Sequence, residues 1–327
     1  MDKYPISSRS LEKHYGIDGD QLGQQYKEHL SGYYKWQQWT HADQWILFPY
    51  NIGKYLSIDE TALSNGELYT IITNKKAKGK KGALVAMING TSSEKVIDVL
   101  MKIPESKRKI VKEVTLDMAG SMNKIVQHSF PKAKKVIDRF HVQKLAYDAL
   151  QEIRIKHRWE AIDQEAEAMR TARCTHTKYE PTLFANGDSI KQLLARSRYL
   201  LFKSIEKWTD KQAERARILF SQYPDIKEAY SLTHSLRMIF TKNNNKSIAY
   251  TKLAQWYNKV ENAGFKSFGS IMNTIREHYI GILNYFDNRS TNASAESFNA
   301  KLKAFRATLR GVNDIKFFLF RVSKIWA

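Results

Sequence analysis

The chain has 327 residues, 43% of them hydrophobic and 26% charged, a globular composition with room for two or three cores. Its 53 Lys and Arg against 33 Asp and Glu leave a formal charge of +20, which selects polyanionic partners such as nucleic acid. No apolar run approaches the ~18 residues of a membrane span. The N-terminal MDKYPISSRSLEKHYG lacks a secretory layout. A single cysteine, Cys174, excludes an internal disulfide and a cysteine-rich zinc site and points to a reducing, cytoplasmic home.

Residues 1–58 are neutral overall, and the cationic excess begins at Asp59. The first segment is aromatic and helical in pattern, from Gln21 to Leu30 and on through Tyr33, Tyr34, Trp36, Trp39 and Trp45. From Lys54 the period changes to that of strands. Tyr55 to Asp59 reads as a first strand, Leu68 to Thr73 as a second and Ala83 to Ile88 as a third. Asn74 to Gly82 joins the last two as an exposed hairpin loop. Its Lys75, Lys76, Lys78, Lys80 and Lys81 suit phosphate contacts or, equally, a soluble turn.

Thr91-Ser92-Ser93-Glu94 has the capping-box pattern before Val96, Ile97, Val99 and Leu100 at helical spacing. A fourth strand over Val111 to Leu116 ends at Asp117, a short helix passes through Ile125-Val126, and a fifth strand covers Lys134 to Asp138. Val142, Leu145, Ala149 and Ile153 mark an amphipathic helix. Strand signals then stop. Residues 159–288 read as successive helices, broken near Pro181, Asn186-Gly187-Asp188, Pro224, Asn243 to Asn245 and Gly264. The β-β-β-α-β-α-β-α order predicts a mixed α/β sheet with helices on its faces.

Three acids stand out. Asp59 ends the first strand and Asp117 the fourth. If those strands lie side by side and parallel, the two carboxylates can share a divalent cation, an oxygen-rich donor set suited to Mg²⁺. For either acid alone, a turn or cap role is the commoner one. Glu296 belongs to a third element, a helix that Thr291 or Asn292 can cap. On it Phe298, Leu302, Phe305 and Leu309 form an apolar back, while Asn299, Lys303, Arg306 and Arg310 share the front with Glu296. One acid among cations suits metal binding beside a phosphate backbone, or an ordinary solvated face. No G-x-x-x-x-G-K-[ST] occurs, since Gly79-Lys80-Lys81-Gly82 has the wrong spacing, so a P-loop enzyme is excluded.

Four stretches together carry a family resemblance: Ser57-Ile58-Asp59-Glu60, Val114-Thr115-Leu116-Asp117-Met118, Val136-Ile137-Asp138-Arg139-Phe140-His141-Val142, and Arg289 through Lys303. In this order and spacing the chain resembles a DDE transposase of bacterial insertion sequences, of the ISL-three branch. The resemblance implies an α/β, RNase H-like mixed five-stranded sheet with flanking helices, interrupted by a large all-α insertion domain. It divides the chain into a helical lead-in over 1–53, the first part of the core over 54–158, the insertion over 159–288, and a completing helix with basic tail over 289–327. It implies Asp59, Asp117 and Glu296 as catalytic, metal-binding residues for two Mg²⁺ or Mn²⁺ ions per site. Asp138 and His141 match an acid-x-x-His signature and become auxiliary candidates, or a structural pair at a helix start. Arg139, Asn299, Lys303, Arg306, Arg310 and the loop lysines become candidates for contacting DNA.

The implied activity is cleavage of double-stranded DNA at transposon ends and joining of the 3′-OH to target DNA, by a homodimer or larger assembly on the bacterial nucleoid. Relatives carry an N-terminal zinc-binding and helix-turn-helix region. The 58 residues before Asp59 have no cysteine and no net charge, which leaves two expectations: DNA-end recognition by a separately made protein, or a truncated or decayed element. A purely hydrolytic RNase H-like nuclease and a non-enzymatic, domesticated DNA-binding relative remain as alternatives.

Overall fold

In a computed structural model the described residues are 1–63 and 66–327, and they form two compact units. The first comprises Met1–Asp138 and Asn288–Ala327, and the second Arg139–Asp287. The helix that leads into the second unit is continuous across residues 158 and 159.

The first unit begins with two short helices, α1 (Glu12–Tyr15) and α2 (Gly19–Gln25), the latter running into a π-helical turn over Tyr26–Leu30. Asp18 caps α2, its carboxylate accepting from the amides of Asp20 and Gln21. The lead-in is not wholly helical. Trp45–Leu47 forms an edge strand, β1, paired antiparallel with the later strand Leu84–Asn89. This makes the sheet six-stranded where the pattern predicted five. Three residues are too few for alternation to be legible, and Ile46 is fixed by tertiary burial.

Strands β2 (Tyr55–Ala62), β3 (Leu68–Asn74) and β4 (Leu84–Asn89) make an antiparallel meander. Helices α3 (Ser93–Met101) and α4 (Glu105–Arg108) lead to β5 (Glu113–Leu116), and α5 (Gly120–Ser129) leads to β6 (Lys134–Ile137). Strand β5 runs parallel to both β2 and β6, giving the order β1-β4-β3-β2-β5-β6. Three meandering strands continued by two parallel ones form a mixed α/β sheet. Asp59 lies within β2 and not at its end, because the hairpin with β3 carries β2 past the end of β5. The predicted capping box is not formed. Ser92 is the N-cap of α3, and its hydroxyl donates to the Glu94 carboxylate instead of accepting from the helix.

The second unit holds α6 (Arg139–Cys174), α7 (Ile190–Arg196), α8 (Asp210–Gln222), α9 (Pro224–Lys242), α10 (Lys246–Ala263), α11 (Lys266–Glu277) and α12 (Tyr279–Asn288), the last ending at the boundary. Helix α6 packs against α7, α9 and α11. The breaks fall where turn chemistry placed them. Pro224 opens α9, Asn245 caps α10 through its side chain, and Gly264 closes α10 in the left-handed conformation that glycine adopts without strain. Asp188, fully buried before α7, accepts from Arg196 and from Arg215 Nε at 2.6 Å.

The chain then returns to the first unit as α13 (Ala293–Thr308) and α14 (Ile315–Trp326). The predicted apolar back of α13 is real. Phe298, Leu302 and Phe305 join Ile71, Tyr69, Met87, Phe318, Val322 and Trp326 in one core, with Leu309 packed against it. Ile71 is the cross-strand partner of Asp59. Partners in a pair share a face, so α13 covers the face of the sheet that carries Asp59.

Candidate active site

The register builds a row of acids. Ser57 pairs with Thr115, and Thr115 with Val136. Two residues further on come Asp59, within β2, and Asp117 and Asp138, each one residue past the end of its strand; strand alternation continued by that residue puts all three on one face. Strands about 4.8 Å apart make this row roughly 10 Å long. Asp59 and Asp117 are half-buried, and Asp138 is only 2% exposed.

Each acid has assigned partners. Asp59 Oδ1 accepts from the Glu60 amide at 2.9 Å and Oδ2 from Asn299 Nδ2 at 2.7 Å. Asp117 Oδ1 accepts from the Ala119 amide at 2.9 Å, which fixes the turn into α5. Asp138 Oδ2 accepts from the Asn292 amide at 2.7 Å, and its own amide reaches Leu116 O at 3.2 Å. Helix α13 is therefore tied to both ends of the row, through Asn292 to Asp138 and through Asn299 to Asp59. Seven residues at about 1.5 Å each span roughly 10 Å, the length of the row. Glu296 lies between the two ties, exposed, on the first turn of α13.

Two further residues bear on the row: Glu60, which the sequence did not single out, and Lys75, which it placed at a DNA surface. Burial, then Asp117, then Asp59 push the Glu60 carboxyl above its ordinary value. Lys75 runs inward from the hairpin loop, its ammonium 2.7 Å from Thr115 Oγ1 and 3.7 Å from the Glu113 carboxylate. Burial pulls the Lys75 ammonium down while Glu113 and Asp138 push it up, so it is a cation within electrostatic reach of the row. The only signal for Lys75 was its place beside the strand end. Nothing in the sequence marked its direction.

The remaining candidates divide. Lys76, Lys78, Lys80 and Lys81 are exposed on the loop, and Lys303 and Arg310 are exposed on and just after α13. Lys80 and Lys81 line a cleft of about 600 Å³ together with Lys3, Lys301 and Lys324, and no acid lines it. Lys301 Nζ also donates to Gly79 O at 3.0 Å, joining loop to helix. Gly79 has a φ of 66° there, and a Cβ would meet that ammonium at 3.0 Å.

Asn299 and Lys75, both expected at a DNA surface, point inward instead, because each satisfies a polar partner in the sheet. Arg306 is half-buried. Arg139 opens α6 in the second unit, with its guanidinium 5.8 Å from the Tyr285 ring. His141 lies on the same first turn, its ring edge-on to Phe140. Asp138 bonds the Asn292 amide, a partner the acid-x-x-His spacing does not reveal.

The aspartate pair, all oxygen and partly shielded beside a third carboxyl held above its ordinary value, fits a hard divalent cation. Among the described residues, no three His, Cys, Asp or Glu side chains are grouped closely enough to hold a metal. Among the described residues Glu296 therefore forms no closed ligand set with the pair. No described helix is long and apolar enough to cross a membrane.

The sequence profile of the ISL3-type DDE transposases, described as a transposase family, matches residues 56–322. No curated protein matches the chain. Among solved structures, a chain of the Drosophila P element transposase strand transfer complex aligns over 84% of this chain and 77% of its own. Its TM-score is 0.36, with 11% identity. The profile spans both units, from the second residue of β2 to within α14. The chain belongs to the ISL3-type family of DDE transposases.

Proposed function

We propose that this transposase chain cuts double-stranded DNA at the ends of an insertion sequence and joins the freed 3′-OH to target DNA, with Asp59, Asp117 and Glu296 as its catalytic carboxylates. The observation that supports this reading is the parallel pairing of β2 with β5 up to Ser57 and Thr115, two residues before Asp59 and Asp117, with α13 anchored to Asp59 one turn beyond Glu296. Two Mg²⁺ or Mn²⁺ ions held by the three carboxylates would supply charge stabilisation to the attacking and leaving oxygens of the phosphodiester. The chain's own residues supply placement. Asn299 orients the Asp59 carboxylate, the Ala119 amide orients Asp117, and the first turn of α13 puts its positive end beside the acids. Lys76, Lys78, Lys80, Lys81, Lys301 and Lys303 offer exposed cations for the phosphate backbone. The working assembly is a homodimer or larger, since two ends must meet.

Replacing Glu296 with Gln tests the assignment. Metal-dependent nicking of a supercoiled plasmid should be abolished while DNA binding, read by mobility shift, persists. Normal nicking by E296Q would remove Glu296 from the site. Strand-transfer products from the unaltered chain separate a transposase from a nuclease that only hydrolyses.

A further inference from the structure

Asp138 is the third member of the acid row, yet its surroundings differ from those of the other two. It is 2% exposed, whereas Asp59 and Asp117 are half-buried. One of its oxygens is committed to the backbone of a remote segment, the Asn292 amide at 2.7 Å, across 154 residues of sequence. We propose that Asp138 is a positioning residue for Glu296: as a hydrogen-bond acceptor it fixes the first turn of α13 over the Asp59–Asp117 pair, and it is not itself a ligand of the metal. This rests on the proposed roles of Asp59, Asp117 and Glu296.

The connection is short and continuous. Asp138 Oδ2 accepts from the Asn292 N–H, and the carbonyl of the same Asn292 accepts from the Glu296 N–H at 3.0 Å and the Ala295 N–H at 2.8 Å. Asn292 is the N-cap of α13, but its side chain makes no capping bond. Its Oδ1 and Nδ2 are both buried without a hydrogen-bond partner. The usual side-chain device for fixing a helix start is thus absent here. The Asp138 side-chain oxygen, one residue past β6, holds the backbone in its place, at a helix N-terminus whose free N–H groups favour an oxygen acceptor.

The second tie, Asn299 to Asp59, fixes α13 one turn after Glu296. With Asp138 removed, α13 would stay anchored at Asn299 and through Phe298, Leu302 and Phe305, but the turn bearing Glu296 would lose the tie through Asn292. A displacement of about 1 Å in a reacting group costs on the order of 100-fold in rate.

Two readouts on the full chain test this: hydrogen–deuterium exchange of the metal-free protein, and Mn²⁺-dependent nicking of supercoiled plasmid. Asp138→Ala should speed exchange at amides 292–296, leave β2 and β3 protected, and lower nicking about 100-fold. Asp138→Asn keeps an acceptor oxygen and should restore both to within several-fold of the unaltered chain. Should Asp138→Ala fail to fold, Asn292→Pro removes the same N–H from the other side, at a φ of −84° that proline tolerates, and the same two changes are expected. Unchanged exchange at 292–296 on loss of the bond would overturn the proposal. So would Asp138→Asn losing nicking as completely as Glu296→Gln with exchange unaltered, since an acceptor would then not suffice and Asp138 would be a ligand. If Glu296→Gln itself nicks normally, the catalytic assignment fails, and the exchange data still report whether Asp138 holds the helix.

Discussion

Glu60 opposes folding at neutral pH. Burial and the flanking Asp117 and Asp59 hold its carboxyl above the ordinary 4.5, so the folded chain binds that proton more tightly than the unfolded one. For an acid shifted upward, the cost is absent below the unfolded value and develops as pH rises through the folded one. Glu60→Gln should therefore raise the thermal midpoint at pH 8 by a small amount and leave it unchanged at pH 4. Equal midpoints for the two chains at both pH values would refute the charge clustering. Asp59 and Asp117 were legible in the sequence because strand alternation and a parallel crossover suffice to put them on one face. Lys75, Asn299 and the Asp138–Asn292 bond were not, since the direction of a long side chain and a pairing across 154 residues leave no local pattern.

Among elements, the turn before α7 depends on one carboxylate. Burial alone would push the Asp188 carboxyl up, but Arg215 and Arg196 more than offset it and hold it below the ordinary 3.8. Its stabilisation is present above the unfolded value and is lost as pH falls through the lowered folded one. Asp188→Asn leaves the solvent-reached guanidinium groups of Arg196 and Arg215 facing a neutral amide, and the loss of charge-assisted hydrogen bonds costs about 1.5 kcal/mol. Urea unfolding followed by the tryptophans of the helical unit, Trp159, Trp208 and Trp256, should show that loss, and a shift below ~0.5 kcal/mol would place the network among dispensable surface pairs. The helix breaks in this unit were readable because Pro224, Asn245 and Gly264 each act through local backbone chemistry. The capping box at Thr91 to Glu94 misled for the converse reason: the motif is local, but a serine hydroxyl has competing acceptors, and here it chose Glu94. Strand β1 escaped notice because its pairing with β4 and not its own pattern defines it.

For the whole molecule, the formal charge of +20 makes DNA affinity a function of salt. If six to ten phosphates are neutralised, affinity should fall roughly 10³- to 10⁵-fold between 50 and 200 mM salt, linearly on logarithmic axes. A flat dependence would remove the backbone-contact reading of the loop and α13 lysines. The division into a sheet and a helical block was readable from the switch in period near residue 54 and the loss of strand signals after Trp159. The unit boundary at Asp138 was not, since α6 continues without a break through the residues where the pattern changes.

Helix α13 comes from the second segment of a unit that the chain leaves at Asp138 and rejoins at Asn288. The bond from Asn299 to Asp59 closes a span of 240 residues. During synthesis the strands of the meander can pair as soon as they emerge, but the apolar face carrying Ile71 and Met87 has no cover until Phe298 through Trp326 have been made. A chain interrupted inside the helical block would thus display a half-built sheet with its apolar face open, prone to aggregate. If Glu296 has the role proposed for it, closing the core and completing the site are one late event in synthesis, because the same helix does both.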